Sequence, residues 1–342
     1  MARTARGSHL PIREREFHAW LARVLPAGRR GLLPMGDDAA ALRPPRGTVA
    51  VVSTDSLVEG LHFLPSSSPR AVGHAAAAVS LSDIGAKGAV PGAVVLGLVV
   101  PPTTPRRWAE EVVRGAEAEA ARCGAHVVGG DTKPGPVRSV GSTVIGWARP
   151  DRLAPRSGAR PGDLLGTTGT VGRGGLAFER FRVGTVPRAQ ALRELLDVRP
   201  RVREGRALAP FAHAMLDTSD GLAESCRLMA SASRVRLVIE EAALPLAAGI
   251  REVARTPDRR RAVAFFGGDY ELLAAIRPEQ FERAARAVAR AGGHLRRIGT
   301  VSAGRGAVLR TGRRAIPMPS SGWDPFRRPR FVICRSRTRR IP

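Results

Sequence analysis

Lysine, cysteine and aromatic residues are scarce in this chain, and each shortage counts against a class of protein. Of 55 basic residues only two, Lys87 and Lys133, are lysines, while 30 acidic residues leave a formal charge of +25. Three widely spaced cysteines form neither a disulfide framework nor a zinc site. Aromatic residues make up 4% of the chain, so surfaces on which nucleic-acid bases stack are scarce.

Long apolar segments are also missing. No stretch approaches the roughly 20 apolar residues of a membrane-spanning helix, and no apolar segment typical of a secretory signal follows the first arginines. We therefore expect no membrane partner and a reducing, cytoplasmic setting. The arginines are scattered, which indicates coding bias more than a nucleic-acid interface. An Arg-rich nucleic-acid-binding protein stays the alternative from a different class.

The length and the hydrophobic content predict two domains. A hydrophobic share of 43% in 342 residues is enough for a sizeable core. Strands and helices mix in both halves without strict alternation, which favours an α+β architecture. Proline, glycine and charge mark a boundary within residues 149–163. We predict an N-terminal α/β domain over residues 1–150, a C-terminal α/β domain over residues 151–326 and an Arg-rich tail over residues 327–342.

The most informative residues are aspartates in short, turn-forming sequence, several of them where a predicted strand or helix ends. Seven share this setting: Asp37, Asp38, Asp55, Asp83, Asp131, Asp217 and Asp220. One such aspartate alone is commonly a helix cap or a turn residue. As a set they favour one cluster of oxygen ligands, because an unpartnered carboxylate is costly to bury. Mg²⁺ takes such ligands together with water and substrate phosphates, so we predict a magnesium site.

Signals for other chemistry are weak. The Gly-rich segment 166–175 follows a predicted strand, but it lacks the ending of a Walker A loop and the dinucleotide fingerprint. Helix N-termini near Gly130 and Ser219 are candidates to receive phosphate oxygens. The sequence contains no HExxH pattern and no Gly-x-Ser-x-Gly elbow, which argues against a triad hydrolase.

Taken in order, these motifs resemble those of the thiamine-monophosphate kinase family, which lies in the superfamily of aminoimidazole ribonucleotide synthetase and selenophosphate synthetase. The resemblance extends over most of the chain. Eight segments carry it: residues 36–40, 53–63, 81–89, 129–132, 156–163, 219–222, 267–272 and 322–326. It implies a two-domain synthetase-like fold whose N-terminal domains pair in a homodimer. It also implies ATP-dependent phosphorylation of thiamine monophosphate to thiamine diphosphate, with release of ADP.

The resemblance also implies roles for individual positions. Magnesium ligands would be Asp38, Asp55, Asp83, Asp131, Asp217 and Asp220, with Asp37 and Thr54 assisting. ATP contacts would come from Gly130, Asp131, Arg156 and Ser219. Substrate contacts would come from Ser53, His62 and Trp323. The attacking phosphate oxygen is already anionic at neutral pH, so the reaction needs charge neutralisation and positioning and no general base is assigned.

One position departs from the family pattern. Gly268 stands where the family commonly has a glutamate near the substrate, and Asp269 is a candidate to take over that contact. This departure leaves the acceptor open between thiamine monophosphate and another acceptor that a kinase or synthetase of the same superfamily would phosphorylate.

Overall fold

The computed structural model describes residues 14–25, 39–320 and 322. Its helices are α1 (Glu14–Val24), α2 (Pro69–Ala86), α3 (Arg106–Arg122), α4 (Arg173–Arg182), α5 (Arg188–Leu196), α6 (Val202–Leu208), α7 (Leu222–Ser233), α8 (Ile250–Val253), α9 (Pro257–Ala264) and α10 (Pro278–Arg290). Its strands are β1 (Val49–Val58), β2 (Val90–Val100), β3 (His126–Pro134), β4 (Ser139–Ala148), β5 (Leu164–Thr168), β6 (Ala212–Asp217), β7 (Arg236–Glu240), β8 (Leu272–Ile276), β9 (Leu295–Ser302), β10 (Gly306–Thr311) and β11 (Arg314–Pro317). None of the described helices is long and apolar enough to span a bilayer.

The first sheet has four strands in the order β1-β4-β2-β3. Strand β4 pairs antiparallel with β1 and β2, and β3 runs parallel to β2. Every second side chain of β4 is buried, as its alternating sequence predicts. The buried face packs against α2 and α3. The opposite face leaves Val52 61% exposed in the isolated chain, so the described helices cover this sheet on one side only.

Two glycines let α2 and α3 cross with their backbones in contact. A Cβ atom on Gly73 would lie 1.8 Å from the Val112 carbonyl oxygen, and one on Gly115 would lie 2.0 Å from the Arg70 carbonyl oxygen. No larger residue fits at such a crossing. The run of alanines in the middle of α2 favours a helix and packs as a thin, buried layer. This packing fixes α2, whose last turns carry Asp83.

The second sheet has seven strands in the order β11-β10-β7-β9-β5-β8-β6. Helix α7 packs on one face, and α6 and α10 pack on the other, so apolar clusters lie on both sides. Strand β8 is buried along its whole length, as its uninterrupted apolar sequence requires. Strand β6 forms the edge of this sheet and ends at Asp217.

The two halves contact each other through the C-terminal end of α2. A Cβ atom on Gly205 of α6 would lie 2.0 Å from the Gly85 carbonyl oxygen, so the two helix backbones touch. The chain passes from one sheet to the other through residues 149–163. This is where the sequence predicts the domain boundary, and the exact domain limits stay a prediction.

Candidate active site

A cavity of about 820 Å³ lies between the two halves and is lined by both. Its N-terminal wall includes Asp55 of β1, His62 of the following turn and Asp83 of α2. Its C-terminal wall includes Asp217 at the end of β6 and Asp220 just beyond it. The structure therefore brings four of the seven singled-out aspartates to one cavity. The first and the last of them, Asp55 and Asp220, are 165 residues apart in the sequence.

The four carboxylates repel one another electrostatically. Asp55 keeps an exposed edge, yet desolvation by the surrounding atoms and the charges of Asp83, Asp217 and Asp220 raise its pKa to about 7. Burial and the charge of Asp83 also raise the pKa of Asp217. Mutual repulsion of this kind disfavours the charged forms unless a cation shares the site.

Serine side chains orient two of these carboxylates. Ser53 donates to Asp83 Oδ2 over 2.5 Å, and Ser82 donates to Asp217 Oδ2 over 2.6 Å. Ser219 donates to Asp217 Oδ1 over 3.0 Å. Ser53 therefore contacts the acid cluster rather than standing apart from it, and Ser219 lines the cavity beside it.

The donor set fits Mg²⁺, which binds hard oxygen ligands and keeps several waters and substrate oxygens in its shell. Among the described residues, no three acidic, histidine or cysteine side chains are close enough together to hold a metal by themselves. The four carboxylates thus resemble an incomplete shell that water and phosphate oxygens would complete. Asp37 and Asp38, two further predicted ligands, lie outside the described residues.

Two predicted metal ligands, Asp131 and Thr54, and one predicted ATP contact, Gly130, do not line this cavity. Asp131 pairs with Lys133, with 2.9 Å between Oδ1 and Nζ, and its side chain is 62% exposed on the edge strand β3. Position 130 has room only for glycine, because a Cβ atom there would lie 2.1 Å from the Leu96 carbonyl oxygen. Thr54 Oγ1 lies 3.0 Å from Thr143 Oγ1 on the uncovered face of the first sheet, since neighbouring side chains of a strand alternate.

Asp269, a predicted substrate contact, is not among the residues that line the cavity. It is 3% exposed, and its carboxylate accepts hydrogen bonds from the Gly172 and Gly174 amides at 2.7 and 3.1 Å. These bonds anchor the turn before α4. Burial raises the pKa of Asp269 to about 7, although the two amide donors oppose the shift. Its neighbour Gly268 lines the cavity instead, at a backbone φ of +77° that favours glycine.

The remaining predicted contacts divide into two groups. Arg156 and His62 both line the cavity. The Val58 amide donates to His62 Nδ1 over 3.0 Å, and burial lowers the pKa of His62, so its imidazole is neutral with the proton on Nε2. Trp323, the predicted stacking residue, lies outside the described residues.

Sequence reasoning missed an apolar wall of the cavity. Phe178 and Phe266 stack with ring centroids 5.3 Å apart, and Phe181 and Leu195 continue the wall. Arg182 lines the same cavity. Phe178, Phe181 and Arg182 share helix α4, but Phe266 comes from a distant segment of the chain, so only the fold stacks it on Phe178.

Sequence reasoning also missed Lys87 and Tyr270. Lys87 Nζ donates to the Met215 carbonyl over 2.8 Å and to the Ala154 carbonyl over 3.2 Å. Burial, followed by the charge of Arg156, lowers the pKa of Lys87 to about 8. Tyr270 lines the cavity, and burial followed by the nearby carboxylates raises the pKa of its phenol. The rarity of both residue types in this chain was the one available signal.

Two family models and a curated relative match this chain. The model of the AIR synthase related protein, N-terminal domain, matches residues 36–148, and that of the C-terminal domain matches residues 160–312. The thiamine-monophosphate kinase of Synechococcus elongatus is 36% identical over 275 residues, covering 74% of this chain and 83% of that protein.

Solved structures agree with the family models. The crystal structure of thiamine-monophosphate kinase from Stenotrophomonas maltophilia K279a matches with a TM-score of 0.76 and 32% identity, covering 82% of this chain and 90% of that one. AaThiL complexed with AMPPCP and TMP matches with a TM-score of 0.70 and 25% identity, covering 91% of this chain and 98% of that one. The fold and cavity thus define the class of AIR synthase related proteins. Within this class, the chain belongs to the thiamine-monophosphate kinase family.

Proposed function

We propose that this protein transfers the γ-phosphoryl group of ATP to the phosphate of thiamine monophosphate, giving thiamine diphosphate and ADP. The observation that carries this proposal is the convergence of four aspartates from both halves on one cavity. Membership of the thiamine-monophosphate kinase family makes the protein a phosphotransferase. The new bond joins an oxygen of the acceptor phosphate to the γ-phosphorus, and the bond from that phosphorus to the ADP oxygen breaks.

The residues of the cavity suit this chemistry. The acceptor oxygen is an anion at neutral pH, so the site must gather and align two polyanions, and removing a proton is not required. Asp55, Asp83, Asp217 and Asp220 would hold Mg²⁺, which neutralises phosphate charge when it is bound. Asp37, Asp38, Asp131 and Thr54 are proposed as further contributors from outside this cavity lining.

The lining of the cavity combines acidic and aromatic side chains, and we assign them to different parts of the substrates. Arg156 and Ser219 line the cavity, Ser219 in contact with Asp217, and suit the phosphates of ATP, since a guanidinium binds phosphate oxygens bidentately. The aromatic wall suits the ring system of thiamine monophosphate, and His62 lines the same cavity. Gly130, Asp131 and Trp323 stay proposed nucleotide and substrate contacts.

We further propose that the first sheet pairs with that of a second copy of the chain. Its uncovered face exposes Val52, Val90 and Val99 by 38% or more. Contiguous apolar surface of this kind is typical of an interface. The reaction would take place in the cytoplasm, as the reduced cysteines expected from the sequence suggest.

The direct test is incubation of the purified protein with ATP, Mg²⁺ and thiamine monophosphate, with chromatographic detection of thiamine diphosphate. Equal amounts of thiamine diphosphate and ADP are expected. A second reaction series replaces thiamine monophosphate with other phosphate and amide acceptors and measures ADP. Formation of ADP with another acceptor, and none with thiamine monophosphate, would show that the change at Gly268 accompanies a different acceptor.

A further inference from the structure

Tyr270 is the single tyrosine of the chain, and its backbone conformation is unusual. Its φ is 54°, in the left-handed region that residues with a side chain rarely adopt. Such a conformation costs energy and persists where the surrounding structure imposes it, most often at functional sites. The sequence predicts a strand over residues 270–276, but the strand begins only at Leu272.

The residues on either side of Tyr270 impose this conformation. Asp269 is held by the amides of Gly172 and Gly174. Glu271 is 4% exposed and accepts from Arg201 Nε over 2.8 Å and from Thr168 Oγ1 over 2.7 Å. With both neighbours anchored in buried positions, Tyr270 has no freedom to relax into an extended conformation.

The same segment is hydrogen-bonded to the loop that carries two of the aspartates. The Gly268 amide donates to the Ser219 carbonyl over 2.8 Å, and the Thr218 amide donates to the Glu271 carbonyl over 2.8 Å. The Glu271 amide donates to Thr218 Oγ1 over 3.1 Å. Tyr270 is therefore fixed relative to Asp217 and Asp220.

The Tyr270 side chain leaves its own half of the molecule. It packs against the apolar cluster of the N-terminal half and lines the cavity that holds Asp55, Asp83, Asp217 and Asp220. Within the described part of the chain, no hydrogen bond from its hydroxyl to protein is present. The four carboxylates can only accept hydrogen bonds when ionised, whereas a phenol donates one at neutral pH.

We propose that Tyr270 is a catalytic residue whose phenol donates a hydrogen bond to a phosphoryl oxygen of the substrates in this cavity. The inference rests on the proposed function for the identity of the phosphoryl compound. The strained backbone and the two anchored neighbours hold this neutral donor in the cavity that carries the four carboxylates, together with the cationic donor Arg156 and the hydroxyl donor Ser219. Such a donor stabilises charge on a phosphoryl oxygen without adding a cation that would pair with the aspartates.

The first test compares Tyr270→Phe, which loses only the hydroxyl, with Tyr270→Leu, which also loses the ring. For Tyr270→Phe we expect kcat to fall about 10-fold to 100-fold, as for loss of a hydrogen bond to a charged group. We expect KM for both substrates to change less than about threefold and Tm to stay at the wild-type value. Wild-type kcat in Tyr270→Phe, with loss of Tm and kcat in Tyr270→Leu alone, would show a packing role and overturn the proposal.

The second test does not depend on turnover. Because the chain has one tyrosine, incorporation of 3-fluorotyrosine gives a single ¹⁹F resonance that reports on Tyr270. We expect this resonance to shift when AMPPCP with Mg²⁺ is added. A shift in a protein that forms no thiamine diphosphate would support the role of Tyr270 while refuting the proposed acceptor. An unmoved resonance at saturating nucleotide, in a protein that forms thiamine diphosphate, would refute the role of Tyr270 alone.

Discussion

The ammonium group of Lys87 donates to the Met215 carbonyl over 2.8 Å, which ties the end of α2 to strand β6. Asp83 lies four residues before Lys87, and Asp217 lies two residues after Met215. One hydrogen bond thus joins the two segments whose carboxylates face each other across the cavity. A second bond, from Lys87 Nζ to the Ala154 carbonyl, adds the segment between the two sheets.

Replacement of Lys87 by methionine, which keeps the apolar part of the side chain, should loosen this junction. We expect the free energy of unfolding to fall by about 1–3 kcal/mol, because two hydrogen bonds from a charged donor are lost. We expect kcat to fall about 10-fold to 100-fold, because the spacing of Asp83 and Asp217 is no longer fixed. Urea titration and steady-state kinetics measure both. The variant Arg149→Met, at an exposed position, serves as the control. An unchanged free energy of unfolding and an unchanged kcat in Lys87→Met would show that these hydrogen bonds do not hold the two segments together.

Asp83→Asn should remove a charge that the proposed magnesium site needs while keeping the size of the side chain. We expect kcat to fall by about 100-fold or more with the circular dichroism spectrum and Tm retained. The matched control is Asp151→Asn at an exposed ion pair with Arg149. Near-normal turnover of Asp83→Asn at saturating Mg²⁺ would rule out Asp83 as a ligand.

Glu271→Gln should remove the carboxylate closest to Arg201 and leave Arg201 its longer contact with Glu204, which is 3.3 Å from Nη1 to Oε1. The side chains of Glu271 and Arg201 are 5% and 26% exposed, so their ion pair is poorly screened by solvent. We expect a loss of about 2–3 kcal/mol in the free energy of unfolding. The double variant Arg201→Met with Glu271→Gln should be more stable than the sum of the two single changes predicts, because the interaction between Arg201 and Glu271 is lost only once. Glu252→Gln at the surface is the control, and a double variant less stable than the sum of the single changes would contradict this account.

His74 should make stability depend on pH. Burial lowers its pKa, but the hydrogen bond and charge of Glu119 outweigh burial and raise it above the ordinary value of 6.5. Nδ1 lies 3.2 Å from Glu119 Oε2, and Nε2 lies 2.9 Å from the Val198 carbonyl oxygen, so the doubly protonated ring satisfies both acceptors.

A group whose pKa is higher in the folded protein stabilises it most below the unfolded pKa, and this contribution is lost as the pH rises through the folded value. The Tm difference between wild type and His74→Gln should therefore be large at about pH 6 and shrink above the folded pKa. The exposed His294→Gln is the control for general effects of pH. A difference that grows from about pH 6 to about pH 9 would have the wrong sign for this mechanism.

Val52→Glu should prevent the proposed pairing of first sheets. Val52 is 61% exposed in the single chain and lies on the uncovered face. Burying a glutamate without a partner would cost several kcal/mol, enough to dissociate a dimer. Light scattering should give the mass of two chains for wild type and of one for the variant. Val183→Glu on the C-terminal half is the control, and a monomeric wild type would refute the pairing.

Much of the architecture was predictable from the sequence because it depends on local patterns. The alternation in Ser139–Ala148 predicts β4 with its observed limits, since one face of that strand is buried and the other is not. The expected family and the two-domain α+β fold are confirmed. The edge strand β11 and its neighbour β10 went unpredicted, because short strands with exposed residues carry little periodic signal.

The site was predictable in part. Turn-forming sequence around Asp55, Asp83, Asp217 and Asp220 indicated one cluster, and the structure places all four on the same cavity. Their binding of Mg²⁺ and the cytoplasmic setting stay predictions. The buried role of Asp269 was not predictable, because it depends on the amides of a turn about 95 residues away. The same holds for Tyr270 and Lys87, whose contacts come from the other half of the molecule.

Strand β1 has a consequence for how the protein tolerates change. It presents Asp55 to the cavity and Thr54 to the uncovered face, so adjacent residues serve two different surfaces. Loss or gain of one residue within β1 would exchange these assignments along the strand. The cavity would receive threonine and valine, and the uncovered face would receive the carboxylate of Asp55. The proposed catalysis and the proposed pairing would then fail together, so we expect this strand to tolerate substitutions but no change in length.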